Sequence, residues 1–254
     1  MKGAYYNEFD PFAAQWLRNL IAAGHIAPGD VDDRDIRSVR PDDLRGYRQC
    51  HFFAGVGAWS AALRLAGWGD SDPVWSGSCP CQPFASPGSK VGFDDERHLW
   101  PDWFRLIEEC GPSTVFGEQV ASSDGLAWLD FVCADMEAKG YAVAPLDLCA
   151  AGFGADHIRQ RIFFVADTAS EGRPGLLQGQ RSVCEGAHGW WQAVALDTRR
   201  AGEIRDGGGF RGEPPFLSSL DGARECVGRL RAYGNAIVPQ VAAEFIRAYR
   251  ECRP

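Results

Sequence analysis

Cys81 stands between Pro80 and the pair Gln82-Pro83, straight after the apolar, strand-like stretch Pro73-Val74-Trp75. The prolines fix their own φ angles and push the residues before them toward extended backbone. A thiol held on a rigid turn at a strand end is where an α/β enzyme presents a nucleophile, and the thiolate is the attacking form. Glu118 follows the apolar run Val115-Phe116-Gly117, so its charge is expected at a strand end, either paired or holding a proton. Arg159 and Arg161, spaced i and i+2, fall on one face of a strand, with Ile158, Gln160 and Ile162 on the other. Phe52-Phe53-Ala54-Gly55-Val56-Gly57 reads as a strand entering a glycine turn and a helix, a place where backbone approaches a ligand. Two readings of Glu8 stay open: it accepts the hydroxyls of a ribose, or it caps the helix that begins at Pro11.

The elements that must position these residues alternate along the chain. Ala4-Tyr5-Tyr6 forms a short strand, and Phe12, Trp16, Leu17, Leu20 and Ile21 fall on one face of a helix. Residues 28–45 are acidic and punctuated by Pro and Gly, with Asp35-Ile36 at an expected strand end. Tyr47–Phe53 is a strand, Ala58–Ala66 a helix, Pro73–Ser78 a strand and Leu99–Glu109 a helix. Ser113–Gly117, Tyr141–Leu148 and Ile162–Ala166 are strands, with a helix over Leu126–Lys139 and a closing helix marked by Val241, Phe245 and Tyr249. Strands alternating with helices in this way predict an α/β fold: a mostly parallel sheet covered on both faces.

Composition narrows the setting. At 254 residues, 45% of them apolar, the chain suits one large α/β domain with a small annex. Nine cysteines without paired spacing read as reduced thiols, and the Cys79–Cys81 spacing suits neither a zinc pair nor a Cys-x-x-Cys motif, so no metal site is expected. Met1–Glu8 lacks the apolar core of a secretory signal, and no run approaches a membrane span, so a soluble intracellular protein is expected. Net charge is −8 but uneven: residues 151–254 hold 14 arginines, no lysine and 12 acids, whereas residues 1–150 carry the acidic excess. Such a split fits one side facing nucleic acid and an acidic back.

Five motifs in order, namely Phe-Ala-Gly-Val-Gly, Pro80-Cys81-Gln82, Gly-Glu118-Gln-Val, Arg159-x-Arg161-Ile-Phe and Gly234-Asn235-Ala236-Ile237-Val238-Pro239, resemble the cytosine-C5 DNA methyltransferases. The resemblance runs over nearly the whole chain except residues 167–215. It implies a Rossmann-like class I S-adenosylmethionine-dependent fold, with residues 1–166 and 216–254 catalytic and residues 167–215 a short target-recognition region. It implies that Cys81 adds to C6 of a flipped-out cytosine, with Glu118, Arg159 and Arg161 as the other catalytic residues. S-adenosylmethionine would be held by Phe53, Ala54, Gly55, Gly57, Glu8, Asp35, Pro80, Leu99, Asn235 and Ala236. Gln82, Ser86, Gln119, Arg199, Arg200 and Arg211 are the implied contacts to substrate, which would be double-stranded DNA. A monomer in the cytoplasm of a bacterial cell, of phage or restriction-modification origin, is the implied setting.

Three departures mark this chain. Gln119 stands where the family has Asn, His157 where it has Gln, and Ala58 where a further Gly is usual. Between Gly57 and Cys81 the family's ribose- and adenine-binding strands are missing, while Tyr6-Asn7-Glu8-Phe9-Asp10-Pro11 and Arg34-Asp35-Ile36-Arg37 resemble them at the N-terminus. The second and third strands are therefore expected ahead of the first, which places Glu8 beside the glycine turn. Arg173, Arg181 and Arg205 join the annex arginines as contacts to phosphate and guanine, and Trp190-Trp191 either anchors the annex or wedges into a groove. The competing readings are an RNA (tRNA) cytosine-C5 methyltransferase and a non-catalytic DNA-binding relative.

Overall fold

Short apolar runs buried on both faces, such as Ala4-Tyr5-Tyr6 and Val74-Trp75, build the strands of a seven-stranded mixed sheet. The computed structural model describes residues 2–80, 99–155, 157–168 and 236–252. Its strands are β1 (Ala4–Asn7), β2 (Gly29–Asp32), β3 (Gln49–Phe52), β4 (Val74–Gly77), β5 (Thr114–Val120), β6 (Ala142–Cys149) and β7 (Gln160–Asp167), in the spatial order β2-β1-β3-β4-β5-β7-β6. The first five are mutually parallel, and β7 runs antiparallel between β5 and β6. Counted from the strand that carries the glycine turn, β3, the five parallel strands read 3-2-1-4-5, the order of a doubly wound sheet. The expected shuffling is thus observed: strands two and three of that count come first in the chain.

Helices cover both faces. The helices are α1 (Pro11–Ala22), α2 (Ala58–Leu65), α3 (Trp100–Cys110), α4 (Ser123–Ala138) and α5 (Pro239–Cys252). On one face α3 and α4 bury Trp103, Leu106, Trp128 and Val132 against Tyr5, Phe52, Trp75 and Phe164. On the other, α2 and α5 bury Trp59, Leu63, Phe245 and Tyr249 against Phe116, Phe163 and Val165, while α1 packs on Ala4 and Tyr6. Truncating one such buried aromatic to Ala costs about 3–5 kcal/mol. Two arginines of α5, Arg247 and Arg250, donate to the carbonyls of Leu65 and Ala66, satisfying orphan acceptors at the end of α2.

The shuffled order needs a return path from edge strand β2 to central strand β3. Two 3-10 turns, Ile36–Ser38 and Pro41–Leu44, supply it beneath α3, whose Arg105 donates to the Val39 carbonyl at 3.0 Å. Here the sequence reading needs a correction. Asp35 does not end a strand: β2 ends at Asp32, and Asp35 caps the first 3-10 turn by accepting from the Arg37 backbone at 2.9 Å. Glu118 likewise lies inside β5 rather than after it, because β7 pairs alongside and prolongs the ladder to Val120.

Candidate active site

In a doubly wound sheet, ligands bind outside the carboxyl ends of the strands where the winding reverses, here above β3 and β4. The chain leaves β3 through Phe53, whose φ of +50° is rare for a residue with a side chain. Its ring meets Trp103 edge-on at 5.9 Å. Gly55 and Gly57 follow with φ of +53° and +76°. A Cβ on Gly57 would stand 3.0 Å from Ile26 and 3.2 Å from Leu17, so this glycine is closed in by the core. A Cβ on Gly55 would meet nothing within 4 Å, so this glycine faces open space.

Glu8 is brought directly onto that turn. Its Oε2 accepts the Gly55 N–H at 2.6 Å and its Oε1 the Asp10 N–H at 2.9 Å. The first turn of α1 is capped instead by Asp10, whose Oδ1 accepts from Phe12 at 2.9 Å and Ala13 at 3.0 Å, so Glu8 is not the helix cap. Burial pushes the Glu8 carboxyl above the usual range, and the two backbone bonds pull the other way. Each carboxylate oxygen keeps a lone pair free of these bonds. Next to it Phe9 is 68% exposed, a ring that the sequence reading passed over. Its signal was local: an aromatic residue between two acids at a strand end.

The neighbouring acids are more occupied. Asp32 accepts the Tyr5 hydroxyl at 2.6 Å and is forked by Arg34; Asp35 is forked by Arg37 at 2.6 and 3.0 Å. The Arg37 bond holds the Asp35 carboxyl below the usual range. Pro80 is exposed at the end of the β4 segment, and Leu99, packed partly against the core, precedes α3.

At the β5–β7 side of the candidate site, Glu118 is 5% exposed, and Arg161 Nε stands 2.8 Å from its Oε1. Val120, directly opposite Arg161, lies two residues from Glu118, so the pair is diagonal on one face of the sheet. Burial pushes the Glu118 carboxyl up; Arg161, the Ser78 hydroxyl and Arg159 draw it down, and the net result stays raised. Arg159 donates to the Ala236 carbonyl at 2.6 Å, tying the segment before β7 to the one before α5. Burial, and then the charge of Arg161, lower its affinity for its proton. Gln119, expected at the substrate, is 2% exposed and engaged within the protein. Its amide donates to the Cys79 carbonyl at 3.2 Å, and its oxygen accepts from the Val120 backbone at 2.9 Å. That bond anchors the chain two residues before Cys81.

Residues 72–174 match the family model of the C-5 cytosine-specific DNA methylases. Over that stretch the chain is similar to the cytosine-C5 DNA methylases. It is 32% identical over 103 residues to the Type II methyltransferase M.NgoMIV of Neisseria gonorrhoeae, covering 38% of this chain and 32% of that one. It is 35% identical over 98 residues to the Type II methyltransferase M.CviJI of Paramecium bursaria Chlorella virus IL3A, covering 38% and 26%. The matched stretch thus spans about a third or less of the curated relatives' length. The structure of the S. pombe Dnmt2 methyltransferase superposes with a TM-score of 0.54 at 12% identity, over 98% of this chain and 99% of that one, a likeness of fold.

The glycine turn, Glu8, Glu118, Arg159, Arg161 and Ala236 are gathered at one end of the sheet. Cys81, Gln82, Ser86, Arg199, Arg200, Arg211 and Asn235 lie outside the described residues, as does the expected annex after Thr168.

Proposed function

We propose that the chain transfers a methyl group from S-adenosylmethionine to C5 of a cytosine flipped out of duplex DNA, with Cys81 as the nucleophile. The observation that carries this reading is the buried Glu118–Arg161 pair, held on β5 beside the segment Ser78-Cys79-Pro80 that leads into Cys81.

The residues fit the cofactor. The open side of Gly55 leaves room for a ligand at the start of α2, and the free lone pairs of Glu8 suit the hydroxyls of a ribose. Phe53 and Phe9 offer rings to a purine, and Asp35, Pro80, Leu99 and Ala236, with Asn235, complete the binding set. Bound there, S-adenosylmethionine supplies an electrophilic methyl group.

The protein's part is to make C5 nucleophilic. Cys81 thiolate adds to C6, and the electron pair moves toward N3 and C5. Glu118, whose burial favours the protonated form, donates to N3 and accepts from the exocyclic amine as that charge develops. Arg161 holds the Glu118 carboxyl in place, and Arg159 and Arg161 add positive field that favours a thiolate. Loss of H5 with departure of Cys81 restores the aromatic ring. We assign residues 1–166 and 216–254 to the catalytic domain, and residues 167–215 to target reading.

Covalent trapping tests this reading. On duplex DNA carrying 5-fluorocytosine, with S-adenosylmethionine, the wild-type chain is expected to form an adduct that Cys81→Ala abolishes while DNA binding persists. An adduct that survives in Cys81→Ala would reassign the nucleophile. Trapping on RNA and not on DNA would overturn the substrate.

A further inference from the structure

The parallel register of β4 and β5 pairs Ser76 with Phe116 and Gly77 with Gly117. The next residues, Ser78 and Glu118, therefore continue side by side on the face that α2 covers. On that face lies Trp59, the second residue of α2. Its ring stacks on Phe116 at 6.0 Å and 23°, and meets Phe163 edge-on at 6.0 Å. Phe116 is two residues before Glu118 in β5, and Phe163 is the cross-strand partner of Glu118. Trp59 is thus packed against the two rings that neighbour Glu118 in β5 and β7, and is 4% exposed.

Its indole nitrogen donates to Ser78 Oγ at 3.1 Å. An indole N–H can only donate, so Ser78 must accept there, and its own hydroxyl proton is left to point elsewhere. The register sets Ser78 beside Glu118, and its hydroxyl draws the Glu118 carboxyl down, as a donor to the ionised form does. The direction of the whole chain follows: Trp59 N–H to Ser78 Oγ, Ser78 O–H to Glu118. The terminal torsion of a glutamate is broad and two-fold, so a single donor leaves its carboxyl plane loosely set. Arg161 in β7 and Ser78, just past the end of β4, together give it two donors from two directions.

We propose that Ser78 and Trp59 are positioning residues for Glu118, with Trp59 fixing the Ser78 hydroxyl as the second donor that sets the carboxyl plane. The inference rests on Glu118 being the catalytic acid of the proposed reaction. Among the described residues, the charged groups facing Glu118 are Arg161 and Arg159 on the β7 side; β4 brings only Ser78, and α2 only Trp59. Removing an uncharged donor from an ionised acceptor disfavours the ionised form, so Glu118 then keeps its proton to higher pH.

The test is a titration of the Glu118 carboxyl by carbon NMR on glutamate-labelled protein, assigned with Glu118→Gln, in the absence of DNA and cofactor. Ser78→Ala is expected to raise its apparent pKa by about one unit. Trp59→Phe should raise it less, and the double variant no further than Ser78→Ala, since Trp59 acts only through Ser78. Ser78→Thr, which keeps the hydroxyl, should restore the wild-type value. The pH profile of kcat should move by the same amount in Ser78→Ala, with KM little changed. An unmoved Glu118 titration in Ser78→Ala, or additive shifts in the double variant, would overturn the proposal. If Trp59→Phe does not fold, Ser78→Ala and Ser78→Thr decide alone. Because the titration needs no turnover, its outcome is independent of methyl transfer: a shifted Glu118 in a protein inert on DNA would sink the proposed function and leave the relay standing.

Discussion

The two ends of the candidate site are built in different ways. At the cofactor end, β1, β3 and the glycine turn present mostly backbone: Gly55 N–H to Glu8, Ala54 N–H to the Asn7 carbonyl, and Asp10 N–H to Glu8. At the catalytic end the contacts are between side chains in a water-poor setting, with Arg161 on Glu118 and Trp59 on Ser78. A backbone-built site depends on which strands lie side by side, not on the order in which the chain visits them. That is why strands two and three can precede strand one and still deliver Glu8 to the turn. A side-chain-built site tolerates no such freedom, because its strengths come from particular groups at low dielectric.

Removing Arg161 should break the catalytic end most severely. Loss of one partner from a buried ion pair costs about 3–5 kcal/mol, and protonation of the remaining carboxyl relieves it. Glu118 already holds its proton more tightly folded than it would unfolded. Its contribution is therefore greatest below the usual carboxylate range and declines as pH rises through its folded value. Arg161→Leu should deepen that decline, so urea unfolding should show a larger loss of stability at pH 8 than at pH 5. A loss equal at both values would mean that Glu118 is not the group left unpaired.

The two glycines sharpen the comparison at the other end. Gly57→Ala combines a left-handed backbone with contacts of 3.0 and 3.2 Å to Ile26 and Leu17, so about 2–4 kcal/mol of stability should be lost. Gly55→Ala carries only the backbone term, about 1–2 kcal/mol, yet puts a methyl group into the space assigned to the cofactor. Calorimetric titration with S-adenosylmethionine should then show the larger loss of affinity in Gly55→Ala, and chemical denaturation the larger loss of stability in Gly57→Ala. Reversed rankings would move the ligand off the Gly55 side of the turn.

What the sequence made legible follows the same division. The glycine turn and the acid at the end of β1 were readable because glycine pairs and apolar runs have strong local signatures, and the shuffled order was readable only from the resemblance of residues 6–11 and 34–37 to the family's ribose and adenine segments. Strand β2 was not, since Gly29-Asp30-Val31-Asp32 has two acids and little apolar pattern. Its acids are held by distant hydroxyls, Tyr47 on Asp30 and Tyr5 on Asp32, each at 2.6 Å, and those bonds exist only once the sheet has formed. Missing that strand is what displaced Asp35 to a strand end. At the catalytic end the residue types of Glu118 and Arg161 were evident, but their pairing waited on β7 lying antiparallel beside β5. Gln119 looked like a substrate contact because it follows Glu118; alternation in the strand instead turns it to the opposite face, where it binds the Cys79 carbonyl. Ser78 and Trp59 gave no signal at all, as neither residue type is unusual at a strand end or in a helix.

The measurement that bears most directly on the central claim is base-resolution bisulfite sequencing of plasmid DNA from cells expressing the wild-type chain and its Cys81→Ala and Glu118→Gln variants. The account predicts methylcytosine confined to one short motif for the wild type, none for Cys81→Ala, and roughly 10²–10³-fold less for Glu118→Gln. Unmethylated plasmid from cells in which the wild-type chain is folded and binds S-adenosylmethionine would contradict it.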